Sequence, residues 1–273
     1  MPELPEVETI ARTLRPQLLG KTIVAAEVRW RRTISTPSVP KFKERIRGQE
    51  IREVGRRAKF LILQLSTQTL LFHLRMSGDL RIAPGPLKPQ KHDRLLLQLR
   101  GPSSTDDSLS HLVFNDTRKF GRVWLTTDVD DVLGDLGPEP LSDEFTARDL
   151  YQRLHSRRRL LKPLLLDQTF LSGLGNIYTD ESLNLARLHP LARSESITPK
   201  QAERLHGAIR SILQEGIRQN GASIDWVYRG GDFQNHFRVY DREGKPCPRC
   251  GTRIRRLVVG QRTTHICPTC QKV

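Results

Sequence analysis

The stretch Gly134-Asp135-Leu136-Gly137-Pro138-Glu139-Pro140 separates two kinds of sequence. Two glycines and two prolines in so short a run interrupt any helical or strand period, so the stretch reads as a domain boundary. Before it lie the short apolar or alternating segments Ile23–Trp30, Lys59–Leu65, Leu70–Leu74, Leu95–Leu99 and Val123–Thr127. Gly, Pro, Ser and Asp separate them, a texture that predicts an antiparallel sandwich or barrel reaching to about residue 130. Pro102–Ser110 reads as an exposed polar hairpin loop. One helix precedes the strands. Val7, Ile10, Ala11, Leu14 and Leu18 recur at helical spacing, and Gly20 stops the run.

Beyond the boundary the period turns helical. Thr146 is placed to cap a helix over Asp149–His155, Arg157–Leu166 carries a basic face followed by apolar residues, and Asn176–Leu185 forms a third segment. The clearest helix runs from Pro199 to about Gln219, with Thr198 as N-cap and Gly221 past its end. Ala202, Leu205, Ile209, Ile212, Leu213 and Ile217 form its apolar stripe. The expected class is therefore α+β and multidomain, with bounds at 1–132, 133–228 and 229–273.

At 273 residues the chain exceeds one average domain. Its net charge of +15 and pI near 10.3 point to a polyanionic partner, nucleic acid before a membrane surface. No apolar run approaches the ~20 residues that span a bilayer, and the first residues are acidic where a signal peptide would be basic. A cytoplasmic, monomeric protein is the expectation, since no coiled coil or sticky stripe stands out.

All four cysteines fall within the last 27 residues. Cys247-Pro248-Arg249-Cys250 and Cys267-Pro268-Thr269-Cys270 enclose 16 residues, a spacing that fits a four-cysteine zinc site. Two residues between each pair let both sulfurs face one tetrahedral ion. Four thiolates leave no position for water, so one Zn2+ would be structural. Residues 229–273 carry ten Lys/Arg against three acids, and Gly260-Gln261-Arg262-Thr263 would form a hairpin presenting Arg262 to phosphate.

The chain opens Met1-Pro2-Glu3-Leu4-Pro5-Glu6-Val7-Glu8. With Met1 removed, Pro2 would present a secondary amine beside the Glu3 carboxylate. An α-amino group titrates near pH ~7.7–8.0, so a useful fraction is uncharged and can attack carbon. The same residues also suit a plain helix start, with Pro5 in the first turn and Glu6 and Glu8 at the positive end of the dipole.

These features occur together with Arg57-Ala58-Lys59, His73-Leu74-Arg75-Met76-Ser77-Gly78, Lys91-His92-Asp93, Asp116-Thr117-Arg118-Lys119-Phe120-Gly121, Gly137-Pro138-Glu139-Pro140 and Gly173-Leu174-Gly175-Asn176-Ile177-Tyr178. In that order, over nearly the whole chain, they resemble the bacterial formamidopyrimidine-DNA glycosylases, a family shared with endonuclease VIII. Leu4 favours the formamidopyrimidine branch.

The resemblance implies an N-terminal antiparallel β-sandwich flanked by helices, a helical helix–two-turn–helix domain and a β-hairpin zinc finger. It implies excision of oxidised purines from double-stranded DNA, followed by β,δ-elimination. Pro2 would attack C1′ and Glu3 would shuttle protons. Lys59 would contact the damaged nucleotide or its phosphate, and Arg262 would grip phosphate and assist δ-elimination. Met76, Arg118 and Phe120 would fill the hole left by the everted nucleotide. His92, Arg157, Lys162 and Asn176 would contact the DNA backbone. The segment between Ser223 and Val239 departs from the family's usual wording, so lesion preference is the weakest carry-over. Two rivals stay open: an oxidised-pyrimidine glycosylase of the same family, and a zinc-dependent nucleic-acid binder without catalysis.

Overall fold

The apolar stripe near the start of the chain becomes α1 (Leu4–Leu18), and Val7, Ile10, Ala11, Leu14 and Leu18 are all buried. The computed structural model describes residues 1–101, 109–223 and 230–272. These divide into two units. One holds Met1–Pro2 and Glu6–Asp135, and the other holds Glu3–Pro5, Leu136–Ala222 and the chain from Gly231 onward.

The first unit contains two sheets. One joins β1 (Thr22–Val28), β7 (Asp93–Arg100), β8 (Leu109–Asp116) and β6 (Gly78–Pro84), in that order and antiparallel throughout. The other joins β2 (Ile34–Thr36), β9 (Arg122–Thr126), β5 (Thr69–His73), β4 (Phe60–Leu65) and β3 (Ile51–Arg57). Leu97, Leu112 and Phe114 from the first sheet share one buried cluster with Leu61, Leu70 and Phe72 from the second. Alpha1 and α2 (Val39–Ile46) add Leu14 and Phe42 to it, so each sheet hides one face against the other and its helices.

Several elements differ from the sequence expectation. Beta2 runs parallel to β9, so the second sheet is mixed. Beta1 ends at Val28, because the Arg29 and Trp30 amides turn aside to the Arg94 carbonyl. Lys59 does not open a strand. Arg57 pairs with Phe60, leaving Ala58 and Lys59 as a two-residue turn with Ala58 at φ +52°. The part of the 102–110 loop at 102–108 lies outside the described residues, whereas Leu109 and Ser110 are already strand.

The short α3 (Asp130–Leu133) closes the first unit, and in the second Thr146 caps α4 (Ala147–His155) through a reciprocal bond pair with Asp149. The basic segment after it shortens to α5 (Leu161–Leu165), because the Arg159 carbonyl accepts the Ser194 amide and Leu160 bridges Arg193. Alpha6 (Asn176–Ala186) and α7 (Pro199–Arg218) follow, the latter with its Thr198 capping box. Ala202, Leu205, Ile209, Ile212 and Leu213 bury the predicted stripe of α7 against Tyr178, Leu183 and Phe233. The chain closes with β10 (Arg255–Val259) paired to β11 (Arg262–Ile266). Among the described residues no helix is long and apolar enough to cross a membrane.

Candidate nucleic-acid interface and zinc centre

Glu3 is 3 % exposed, and its carboxylate accepts the Gly175 amide at 2.5 Å and the Ile177 amide at 3.0 Å. Those amides open α6, where unpaired N–H groups and the helix dipole favour an anion. Neighbouring contacts set the register: the Leu4 amide donates to the Gly173 carbonyl at 3.1 Å. A Cβ at Gly175 would meet the Glu3 carboxyl, and one at Gly173, whose φ is +89°, would meet Leu4 at 2.7 Å. The glycines of Gly173-Leu174-Gly175-Asn176 therefore make room for the start of the chain. Pro2, the neighbour of Glu3, is buried.

Lys59 is 4 % exposed in its turn. Beside it in the same unit, His73 packs edge-on against Phe60, with ring centroids 4.7 Å apart. Burial, then the charges of Arg75 and Lys59, hold His73 down to about 3, so the ring is neutral.

Met76, Arg118 and Phe120 stand on two turns tied together by Asp116. The Asp116 carboxylate accepts the Ser77 hydroxyl, the Arg118 amide at 3.2 Å and the Gly121 amide at 2.7 Å. Ser77 Oγ in turn accepts the Arg118 amide at 3.0 Å. The tips are thereby exposed on a buried support: Phe120 is 48 % exposed, and Arg118 lies over its ring at 5.0 Å. Phe120 is thus not a core residue. Met76 is half-buried at the foot of the same pair of turns. His92 belongs to this neighbourhood, because its carbonyl accepts the Asp116 amide at 2.9 Å.

Lys162 requires a correction. Its side chain is 0 % exposed and cannot meet a phosphate in this conformation. Its ammonium donates to Asp180 at 2.6 Å, to Thr264 Oγ1 at 2.8 Å and to the Thr263 carbonyl at 2.9 Å. Burial pulls its pKa below the ordinary lysine value, and Asp180 opposes that pull. Asn176 also serves the finger, donating Nδ2 to the Thr263 carbonyl at 2.9 Å. Between them they anchor the hairpin whose turn, Gly260-Gln261, has φ of +55° and +61°. Arg262 emerges exposed directly after that turn. Arg157 stands apart, exposed in the loop after α4.

The four cysteine sulfurs lie within 4.8 Å of one another. Cys250 Sγ is 3.4 Å from Cys267 Sγ and 3.5 Å from Cys270 Sγ. A tetrahedral zinc with Zn–S near ~2.3 Å has sulfur–sulfur edges of about 3.8 Å, so the donor set and its spacing fit one structural Zn2+. Gly251, at φ +75°, completes the first knuckle. Gln271 braces the second, accepting the Cys267 amide at 3.0 Å and donating to the Leu188 carbonyl at 2.9 Å.

Sequence reasoning assigned no part to Asp116, Asp180, Glu181 or Gln271. Glu181 is fully buried and accepts the amides of Arg238, Val239 and Tyr240 at 2.9, 2.9 and 2.8 Å, while burial raises its pKa. Asp180 and Glu181 follow the glycine-rich motif directly. Their segment, Asn176–Ala186, is more polar than apolar, so nothing in the sequence marked its two acids as buried.

A sandwich with two exposed wedges, a helix start that clamps the first acid of the chain, and a four-sulfur finger define a nucleic-acid-processing protein with a structural metal. Comparison with known proteins makes the assignment specific. Residues 1–123 match the formamidopyrimidine-DNA glycosylase N-terminal domain, 136–227 its H2TH domain, and 244–273 the zinc finger found in FPG and IleRS. The formamidopyrimidine-DNA glycosylase of Chloroflexus aurantiacus is 48 % identical over 99 % of this chain and 98 % of its own. That of Pelotomaculum thermopropionicum is 45 % identical over 100 % of both. Among solved structures, MutM in complex with DNA containing carbocyclic 8-oxo-G superposes with a TM-score of 0.90 at 36 % identity, covering 100 % of both chains. Lactococcus lactis Fpg bound to Fapy-dG DNA superposes with a TM-score of 0.90 at 35 % identity, covering 99 % of this chain and 100 % of that one. The chain belongs to the formamidopyrimidine-DNA glycosylase family.

Proposed function

We infer that the chain is a bifunctional DNA glycosylase and AP lyase of base excision repair, acting on double-stranded DNA that carries oxidised purines such as 8-oxoguanine and formamidopyrimidines. The observation that carries the reading is the Glu3 carboxylate, fixed by two amides at the start of α6 and joined by one peptide bond to Pro2. With Met1 removed, the Pro2 nitrogen attacks C1′ of the damaged nucleotide. The glycosidic bond breaks, and the base leaves with a proton from solvent. Glu3 takes up the proton that the Pro2 nitrogen sheds and delivers it to O4′ as the C1′–O4′ bond opens, which leaves an iminium between Pro2 and C1′. Loss of a C2′ proton then expels the 3′ phosphate, and a second elimination expels the 5′ phosphate.

Lys59 assists the first elimination, and Arg262 grips the phosphate lost in the second. Met76, Arg118 and Phe120 fill the space of the everted nucleotide, with the guanidinium bonding the orphaned base. His92, Arg157 and Asn176 hold the DNA backbone, whereas Lys162 contributes by holding the finger hairpin. Zinc, bound by Cys247, Cys250, Cys267 and Cys270, stabilises that finger and takes no part in the chemistry. Residues 1–132 would form the catalytic sandwich, 133–228 the helical DNA-binding domain, and 229–273 the lesion-loop segment and finger. The protein works as a monomer in the bacterial cytoplasm, on the nucleoid when bound.

Borohydride reduction during turnover on an 8-oxoguanine duplex tests the mechanism. The expected result is a covalent protein–DNA adduct whose peptide map places the deoxyribose on Pro2. An adduct on a lysine, or none with a fully active protein, rules the mechanism out. Retaining Met1 should abolish trapping and leave binding intact. A thymine glycol duplex run in parallel separates this reading from the oxidised-pyrimidine alternative.

A further inference from the structure

Arg94 follows the Lys91-His92-Asp93 motif and is 8 % exposed, with all three arms of its guanidinium engaged. Nε donates to the Asp116 carbonyl at 2.7 Å, Nη1 to the Lys91 carbonyl at 3.3 Å, and Nη2 lies 3.1 Å from His92 Nδ1. A guanidinium has donors and no acceptor. His92 Nδ1 must therefore be the acceptor in that contact and cannot carry a proton. The ring's proton is consigned to Nε2, the nitrogen that Arg94 leaves untouched.

Asp93 completes the arrangement from the other side. It is 1 % exposed and accepts Arg81 Nη2 at 3.0 and 3.1 Å, Asn115 Nδ2 at 2.8 Å and the Gln90 amide at 2.8 Å, so the end of the loop before β7 is tied to β6 and β8. The same Arg94 reaches the backbone of Asp116, whose carboxylate supports the turns carrying Met76 and Phe120.

We propose that Arg94 is a positioning residue that locks His92 into its Nε2–H tautomer. His92 then meets the DNA backbone as an uncharged hydrogen-bond donor, in register with the wedge turns. This deepens the reading of His92 as a backbone contact and rests on it for the second half of its test only. A neutral donor confers affinity without displacing a counterion, because counterion release follows the number of cations placed on phosphates. Its contribution therefore stays nearly constant as salt rises, unlike that of Arg157.

Two measurements on the full-length, zinc-loaded protein decide the matter. Long-range proton–nitrogen correlation of the 15N-labelled free protein, with His92 assigned by its loss in His92→Gln, should show an unprotonated Nδ1 and a protonated Nε2 at pH 7.5. Arg94→Gln and Arg94→Lys should return tautomer averaging. An Nδ1–H or averaged pattern in the parent protein would overturn the lock, whatever His92 does with DNA. Salt titration of binding to an abasic-analogue duplex tests the consequence. His92→Phe, which keeps a ring but has no donor, should weaken binding about tenfold, the scale of one hydrogen bond to a charged group, with the slope of log affinity against log salt unchanged. Arg157→Gln should flatten that slope by about 0.9. A slope that flattens equally in His92→Phe would make His92 a cation on DNA. No loss of affinity in His92→Phe would refute the contact while leaving the tautomer result standing. In an Arg94→Gln background the His92→Phe loss should shrink below about twofold, since the donor is already misplaced.

Discussion

Asp116 in the sandwich and Asp180 in the helical unit are both buried carboxylates beneath exposed basic tips, yet they hold those tips by different chemistry. Asp116 gathers neutral donors, a hydroxyl and two amides, from the turns that lead from one sheet to the other, β5 to β6 and β8 to β9. Asp180 faces a fully buried ammonium and the His265 amide at 2.9 Å, reaching a hairpin distant in sequence. The first arrangement adds hydrogen bonds to turns whose ends are already fixed by strands of two sheets. The second needs a charge pair, because β10 and β11 have only a small sulfur-lined cluster beneath them. A small module lacks the apolar core to hold a register alone, so it borrows a metal and an ion pair.

The difference should be most visible on metal removal. Structural zinc is worth about 10–16 kcal/mol in isolated finger peptides. Chelation should therefore erase amide-exchange protection over the 255–266 hairpin and weaken DNA binding. Beta7 and β8 should keep their protection. Equal loss in the sandwich would remove the contrast.

Next in size is Asp180→Ala, which strands the Lys162 charge in the interior and should cost about 3–5 kcal/mol by chemical denaturation. Asp180→Ala combined with Lys162→Met should recover part of that loss, as expected when the penalty comes from an uncompensated ion. Failure of the double variant to recover would mean that the hydroxyl and carbonyl bonds of Lys162 matter more than its charge.

Asp116→Ala should cost less, about 1–3 kcal/mol, the penalty for buried donors left unpaired. Its signature is local. Nucleotide eversion, followed by a fluorescent base opposite or beside the lesion, should slow more than binding weakens. A loss as large as that of Asp180→Ala would show that neutral and ionic supports do not differ here.

The effect that is smallest at neutral pH, and grows only on acidification, concerns His73. His73 is held to about 3, against an unfolded value near 6.5. Between those values the unfolded chain binds more protons than the native one, so stability rises with pH and is lost on acidification below about 6.5. The slope attributable to this histidine is at most about 1.4 kcal/mol per pH unit, and His73→Asn should remove it from denaturation midpoints measured between pH 6.5 and 4.5.

Much of this was legible in the sequence because its signals are local. The stripes of α1 and α7, the Thr146 and Thr198 caps and the two cysteine pairs are each read within a few positions, and the structure keeps them all. Beta2, β3, β6 and β8 were missed. Arg52, Asp79 and Ser110 interrupt the apolar runs of the last three, and only pairing with neighbouring strands makes those segments extended. Lys162 was misplaced for the same reason. A lysine in a basic stretch reads as solvated until Asp180, 18 positions on, and Thr264, 102 positions on, are brought to it. The clamp on Glu3 was visible only as two small residues, with no hint that an acid 172 positions away would fill the space.

That clamp has a consequence for how the sequence can drift. Gly175 leaves no volume for even a methyl group, since the space its side chain would take belongs to the Glu3 carboxyl. In a saturation library selected for survival under oxidative mutagenesis, position 175 should come back nearly invariant. Gly207, whose added Cβ would meet nothing, should return a broad spectrum of residues. The tolerance profile of the gene would thus record the footprint of its first acid nearly two-thirds of the way down the chain.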